Sequence, residues 1–320
     1  MVTKETMKET TDSAELESMI DTRVLLGQIE LKNPIIPASG TFGYGMEMAE
    51  LFDLNLLGGI AVKGTTLHSR FGNDTPRIAE APCGLVNAVG LQNPGIEQVA
   101  AVELPKLAAL CQTPILVNIS GFSKEEYVAC AARMDQSKEA AILEVNISCP
   151  NVHGGGAVFG TDAKAAAEIT AAVRAVTQKP IYMKLSPNVT NIAEIAKACE
   201  AAGADGISMI NTFSAMRIDI AKRRPVLANV TGGLSGPAVF PVALRMVNQV
   251  SHAVDIPIIG MGGISSAEDV IEMIMAGATA VQIGAATMVD PFVCRDVVLA
   301  LPGLMDKLQI NDLKEIRGII

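Results

Sequence analysis

The chain has 320 residues, is 49% hydrophobic and carries a net charge of −9. It can bury a large core, as one barrel-sized domain or two smaller ones. An acidic balance, no basic run and 3% aromatic residues exclude a nucleic-acid binder. No apolar run reaches the length of about 18 residues that a membrane span needs, and the polar first residues lack the apolar stretch of a secretory signal. The six cysteines include no Cys-x-x-Cys pair, so neither a zinc site nor a ferredoxin-type cluster is expected in this chain. Free thiols without an export signal lead to the expectation of a cytoplasmic protein.

Residues 1–21, rich in Thr, Glu, Lys and Met, read as a loose N-terminal extension, and residues 22–320 as a single domain. Arg23 to Leu31 predicts a short antiparallel ribbon turning at Gly27-Gln28. Apolar runs then alternate with amphipathic stretches. The runs are Ile35–Ser39, Gly58–Lys63, Pro114–Ile119, Ile142–Ser148, Ile181–Leu185, Gly206–Asn211, Ile258–Gly262 and Ala280–Gly284. Helix starts are marked by Ser123 with Glu126, Asn191 with Glu194 and Ser265 with Glu268, each spaced as a capping box. The Ala-rich run 163–175 fits a helix packed on a sheet, and Pro105 should break or kink the helix that follows Pro94. Eight strand–helix units of near-equal length predict an α/β fold, a single (β/α)8 TIM barrel with a short N-terminal β extension. An open doubly wound sheet is the alternative. It is disfavoured because the first strand lacks the Gly-x-Gly-x-x-Gly fingerprint, Gly40, Gly43 and Gly45 having the wrong spacing.

In such a barrel the active site forms at the carboxyl ends of the strands. Here those ends carry Ser39, Lys63-Gly64, Asn118, Asn146 with Cys149, Lys184, Asn211-Thr212, Gly262-Gly263 and Gly284-Ala285. Two lysines and three asparagines, each ending an apolar run, exceed what turn chemistry requires and predict one polar pocket. The glycine-rich ends of the last two strands suit a phosphate, because backbone N–H groups can approach it closely there. Glu144, Asn146 and Ser148 share one strand face, and Glu144 is expected to pair with Lys184 on the next strand, since neither charge is cheap to bury alone. Cys149 stands at the exit of that strand, before a loop with Gly154-Gly155-Gly156, either as a buried structural thiol or as a reactive one. His68, His153 and His252 lack the clustering of metal ligands; His153 is placed where it could tune the thiol.

Taken together, Asn146-Ile-Ser-Cys149-Pro-Asn151, Asn87-Ala-Val-Gly-Leu91, Asn211-Thr212-Phe-Ser-Ala-Met-Arg217 and Gly232-Gly-Leu-Ser-Gly236-Pro resemble the dihydroorotate dehydrogenases, in particular their class 1B catalytic subunits, over about residues 22–315. The resemblance implies a barrel with one FMN that oxidises dihydroorotate to orotate in pyrimidine synthesis. It implies FMN contacts at Ser39, Lys63, Gly64, Asn118, Asn146, Lys184, Ile210 and Gly236, with the phosphate on Gly262-Gly263 and Gly284-Ala285. Substrate contacts would come from Lys63, from Asn87, Ala88, Val89, Gly90 and Leu91, and from Asn146, Asn151, Asn211 and Thr212, with Cys149 as the catalytic base. With no dinucleotide or cluster motif in this chain, NAD as final acceptor implies a second subunit carrying FAD and a 2Fe-2S cluster, in a heterotetramer built on a homodimer core. Asn87-Ala-Val-Gly-Leu91 favours this class over the fumarate-dependent class 1A homodimer. A flavin-free Schiff-base aldolase using Lys63 or Lys184 is the alternative from a different reaction class.

Overall fold

The chain enters the fold through the predicted ribbon, β1 (Val24–Leu26) against β2 (Ile29–Leu31), with Val24 opposite Leu31. Gly27 makes the turn at φ 64, where glycine carries no steric penalty. The computed structural model describes residues 20–148 and 159–320. Most of the expected N-terminal extension therefore lies outside the described residues. Its last two members do not hang free: Ile20 packs against the core, and the Asp21 amide donates to the Asn311 carbonyl at 2.7 Å.

The strands follow in chain order as β3 (Ile35–Pro37), β4 (Ile60–Ala61), β5 (Ile78–Ala81), β6 (Gly84–Asn87), β7 (Ile115–Ile119), β8 (Ala140–Asn146), β9 (Ile181–Lys184) and β10 (Gly206–Met209). After them come β11 (Phe213–Met216), β12 (Ile218–Asp219), β13 (Arg224–Pro225), β14 (Thr231–Ser235), β15 (Ile258–Met261) and β16 (Ala280–Ile283). Eight form one parallel sheet in the order β3-β16-β15-β10-β9-β8-β7-β4, one from each predicted apolar run. The two ends of that order meet where the Gly58 and Gly59 amides donate to the Ile35 carbonyl at 3.0 and 3.4 Å, closing the ring. A Cβ at Gly58 would lie 1.9 Å from the Asn33 carbonyl oxygen, so the closure needs glycine there. All barrel-strand residues are buried except the half-buried Ala141. Both faces of each strand are covered, which is why the runs read as continuously apolar.

Side-chain caps start the outer helices. Ser123, Asp162 and Asn191 accept from the backbone amide three residues on, opening helices Lys124–Asp135, Ala163–Arg174 and Ile192–Ala201. At Ser123 and Asn191 only this half of the expected box is present, Glu126 accepting instead from the Phe122 amide at 2.7 Å, and the third expected box sits one residue later than its spacing suggests. Ser266 caps helix Ala267–Met275 and Asp269 closes the box, because the Asp269 carboxylate accepts from the amides of both Ser265 and Ser266 at 2.7 and 3.0 Å. Near Pro105 the helix is interrupted: Ile96–Gln98 passes into a π-helical turn, Val99–Glu103, before α-helix resumes at Leu104–Leu110. Proline has no N–H to give to the preceding turn, and the wide turn absorbs the missing bond.

Sequence periodicity did not reveal the sheet above the barrel. The hairpin β5–β6 follows the second barrel strand, and β11 and β14 follow the sixth. They join antiparallel in the order β11-β14-β6-β5, with Gly233 opposite Asn87. The second and sixth strands stand four places apart in a ring of eight, so this cover sheet spans the mouth. It has its own small core of Ala79, Val86, Ala88 and Leu227.

Candidate active site

Between the strand ends and the cover sheet lies a cavity of about 230 Å³. From the barrel it is lined by Ser39, Lys63, Gly64, Asn118, Asn146, Lys184, Ile210, Gly262, Gly263, Gly284 and Ala285. From the cover and its connections come Asn87, Val89, Gly90, Leu91, Asn211, Thr212 and Gly236. One expected substrate contact is not at this wall. Ala88 is fully buried in the cover core, its amide donating to the Arg77 carbonyl at 2.8 Å and its carbonyl accepting from Asn73 Nδ2 at 3.0 Å. In extended backbone successive side chains point to opposite sides, so with Asn87 and Val89 at the cavity, Ala88 turns away. Cys149, Asn151, His153 and the triple-glycine loop lie outside the described residues. His68 and His252 are exposed and away from the cavity.

The floor of the cavity is a buried polar cluster. Glu144, on β8, is fully buried, and its carboxylate accepts from Asn118 Nδ2 on β7 at 2.5 Å and from Gln282 Nε2 on β16 at 2.6 Å. Lys184 Nζ on β9 completes the set at 3.4 Å, so the ion pair expected from strand alternation is present. Burial pushes the Glu144 carboxyl up. The Lys184 charge and the two amide donors outweigh that and hold it below the ordinary carboxylate range. Gln282 was not anticipated; its signal was a single polar residue inside an apolar run.

The next layer up is built from amides and hydroxyls. Asn146 Oδ1 accepts from the Ser148 amide at 3.2 Å and from Ser148 Oγ at 2.9 Å, while Tyr127 Oη donates to the Asn146 carbonyl at 2.8 Å. Asn211 Nδ2 donates to Ser148 Oγ at 2.8 Å, and Asn211 Oδ1 accepts from the Thr212 amide at 2.8 Å. Asn146 and Asn211 are thus fixed by partners behind them while their faces line the cavity.

At the ends of β15 and β16 the wall is backbone. Gly263 has φ 80, and a Cβ there would lie 2.8 Å from both the Gly236 carbonyl oxygen and the Phe240 amide nitrogen. Gly262, at φ 125, would place a Cβ 2.8 Å from that of Ala243. Only glycine suits either position. Such a bare peptide wall can receive a phosphate, and a cationic and amide-rich floor can receive a flat heterocycle. FMN combines the two. Two further observations fit it. Asn118 Oδ1 and Gln282 Oε1 are buried with no hydrogen-bond partner among the described residues. A Cβ at Gly64 would come 2.7 Å from Asn118 Oδ1, so glycine keeps that oxygen clear.

A model of the dihydroorotate dehydrogenase family matches residues 21–305. The chain belongs to the dihydroorotate dehydrogenase family. It is 55% identical to the dihydroorotate dehydrogenase B (NAD(+)) catalytic subunit of Anoxybacillus flavithermus, over 92% of this chain and 94% of the relative. It is 56% identical to the subunit of the same name from a Geobacillus species over the same shares of each, and 55% identical to that of Bacillus cytotoxicus over 92% and 96%. Membership in the dihydroorotate dehydrogenase family leaves the Schiff-base aldolase reading without support. Among the described cysteines of this dihydroorotate dehydrogenase, burial pushes Cys130 and Cys294 up to about 12 and Cys199 up to about 11. Those three are packing residues rather than nucleophiles or bases. Of the described helices, none is long and apolar enough to cross a membrane.

Proposed function

We propose that this chain oxidises dihydroorotate to orotate in pyrimidine biosynthesis, with FMN in the cavity and Cys149 as the base. The observation that carries the reading is the convergence of Lys63, Asn118, Asn146, Lys184 and the Gly262-Gly263 and Gly284-Ala285 backbone on one cavity, in a chain of this family. When bound, FMN supplies the electron acceptor for the hydride that leaves C6 of dihydroorotate. The protein must take the proton from C5, and a thiolate at Cys149 suits that task, since an ordinary thiol pKa of about 8.5 is readily tuned toward neutrality. Asn87, Asn146, Asn151 and Asn211 read the ring edges, because an amide side chain offers both a donor and acceptors. Lys63 contributes positive charge toward the substrate carboxylate and the developing negative charge.

The electrons then pass to NAD through a partner subunit holding FAD and a 2Fe-2S cluster, two of each subunit assembling as a heterotetramer around a homodimer of this chain. The support is the name of the relatives, catalytic subunits of an NAD(+)-dependent enzyme. The test is the visible spectrum of the purified chain. A flavin spectrum that bleaches on adding dihydroorotate without oxygen is expected; a colourless protein that neither takes up FMN nor is reduced would overturn the reading. Supplying NAD or fumarate to the chain, with and without its partner, then distinguishes the acceptors.

A further inference from the structure

We propose that Glu144 is a positioning residue, an acceptor-only hub that decides which atoms of Asn118, Gln282 and Lys184 face the ligand. An ionised carboxylate accepts hydrogen bonds and donates none. Asn118 and Gln282 must therefore turn their NH2 groups to it, at 2.5 and 2.6 Å, and their carbonyl oxygens elsewhere. Both residues line the cavity, and both carbonyl oxygens are buried with no partner among the described residues. A buried unpaired acceptor is costly, so a ligand that brings a donor to either oxygen relieves that cost. Lys184, 5% exposed, is drawn to the same carboxylate at 3.4 Å. The hub is also a mechanical tie. Asn118 and Lys184 flank Glu144 on the neighbouring strands β7 and β9, while Gln282 stands on β16, four places away in the ring. The Gln282 bond therefore crosses the barrel interior beneath the cavity.

The result is a fixed pattern of two acceptors and one cation. It complements a ring edge that carries an N–H donor flanked by electron-rich oxygens, as the imide edge of a flavin does; to that extent the inference rests on the function proposed above. With an amide at position 144, one of its two terminal atoms becomes a donor. Asn118 or Gln282 must then turn over and present NH2 where the ligand also offers N–H, and the negative charge opposite Lys184 is lost.

The test compares the wild-type chain, Glu144→Gln and Gln282→Met, each titrated with FMN by quenching of flavin fluorescence and then subjected to redox titration of the bound flavin. Gln282→Met, which removes one arm without changing charge, should weaken FMN binding about tenfold, the worth of one good hydrogen bond, with the midpoint potential near wild type. Glu144→Gln should weaken binding at least as much and also shift the potential to more positive values, because a negative charge near the reduced flavin is gone. Should Glu144→Gln fail to fold, Gln282→Met decides alone: a tenfold loss supports the hub, and wild-type affinity overturns it. Glu144→Gln with lower thermal stability but wild-type affinity and potential would show a merely structural role and overturn the proposal. Those results require a wild type that binds FMN; a wild type that binds none would bring down the function reading itself and the hub with it.

Discussion

Replacing Lys184 by Met should test the energetics of the buried cluster directly. The side chain keeps its length but loses the ammonium that, among the described residues, stands 3.4 Å from a carboxylate with no solvent exposure. Removing one partner of a buried pair typically costs about 3–5 kcal/mol, because the remaining charge is left uncompensated. With an unfolding entropy of about 2.1 cal/mol/K per residue, a 320-residue chain loses roughly 1.5 °C of Tm per kcal/mol, so the flavin-free variant should melt about 4–8 °C lower. The loss should depend on pH with a definite sign. In the wild type the folded Glu144 carboxyl lies below its ordinary value, so its contribution is present above the unfolded pKa of about 4.3 and fades as the pH drops through the lower folded value. In the variant burial is no longer opposed by a positive charge. The carboxyl rises above its unfolded value, so the deficit is greatest at alkaline pH and shrinks as acid protonates it. Differential scanning calorimetry of both proteins from pH 5 to pH 9 measures this. A variant melting within 1 °C of wild type, or a deficit that does not change with pH, would refute the cost assigned to the pair. Adding Glu144→Gln to Lys184→Met should recover part of the loss.

Other outcomes are expected from separate features. Cys149→Ala should keep FMN yet slow flavin reduction by dihydroorotate by orders of magnitude in anaerobic stopped flow, and Cys149→Ser should retain activity only at raised pH, since a hydroxyl is the weaker acid. Gly263→Ala must place a methyl against the Gly236 carbonyl and the Phe240 amide at φ 80, so FMN should wash out of the variant during gel filtration while it stays with wild type. Ser266→Ala removes a helix cap outside the cavity and should lower stability by about 1 kcal/mol in thermal melts without changing FMN affinity.

The barrel was legible because its strands are buried on both faces, and runs such as Ile115–Ile119 and Ile258–Met261 carry that signature without reference to any partner. The floor was half legible. Strand alternation put Glu144 opposite its neighbours, and β8 and β9 are adjacent, so Lys184 could be paired with it. Gln282 could not, because its partner lies across the ring and no local pattern encodes that distance. The cover sheet was hidden for a related reason: β5 and β6 are half-exposed strands of four residues whose third member, β14, enters from far along the chain. Loop registers were the least readable. Asn87 and Val89 line the cavity while Ala88 supports the cover, and the helix cap fell at Ser266 because an aspartate, not the glutamate before it, reached back to close the box.

The cover sheet has a consequence for how the protein comes to be competent. Asn87 and Gly233 are 146 residues apart in sequence, yet they lie opposite one another above the mouth. The two parts of the roof can pair only once the second and sixth units have brought them across the mouth. Residues that must be handed over by both halves of the chain make ligand capture a certificate of finished assembly: a nascent chain, or one opened on either side, has no roof to offer.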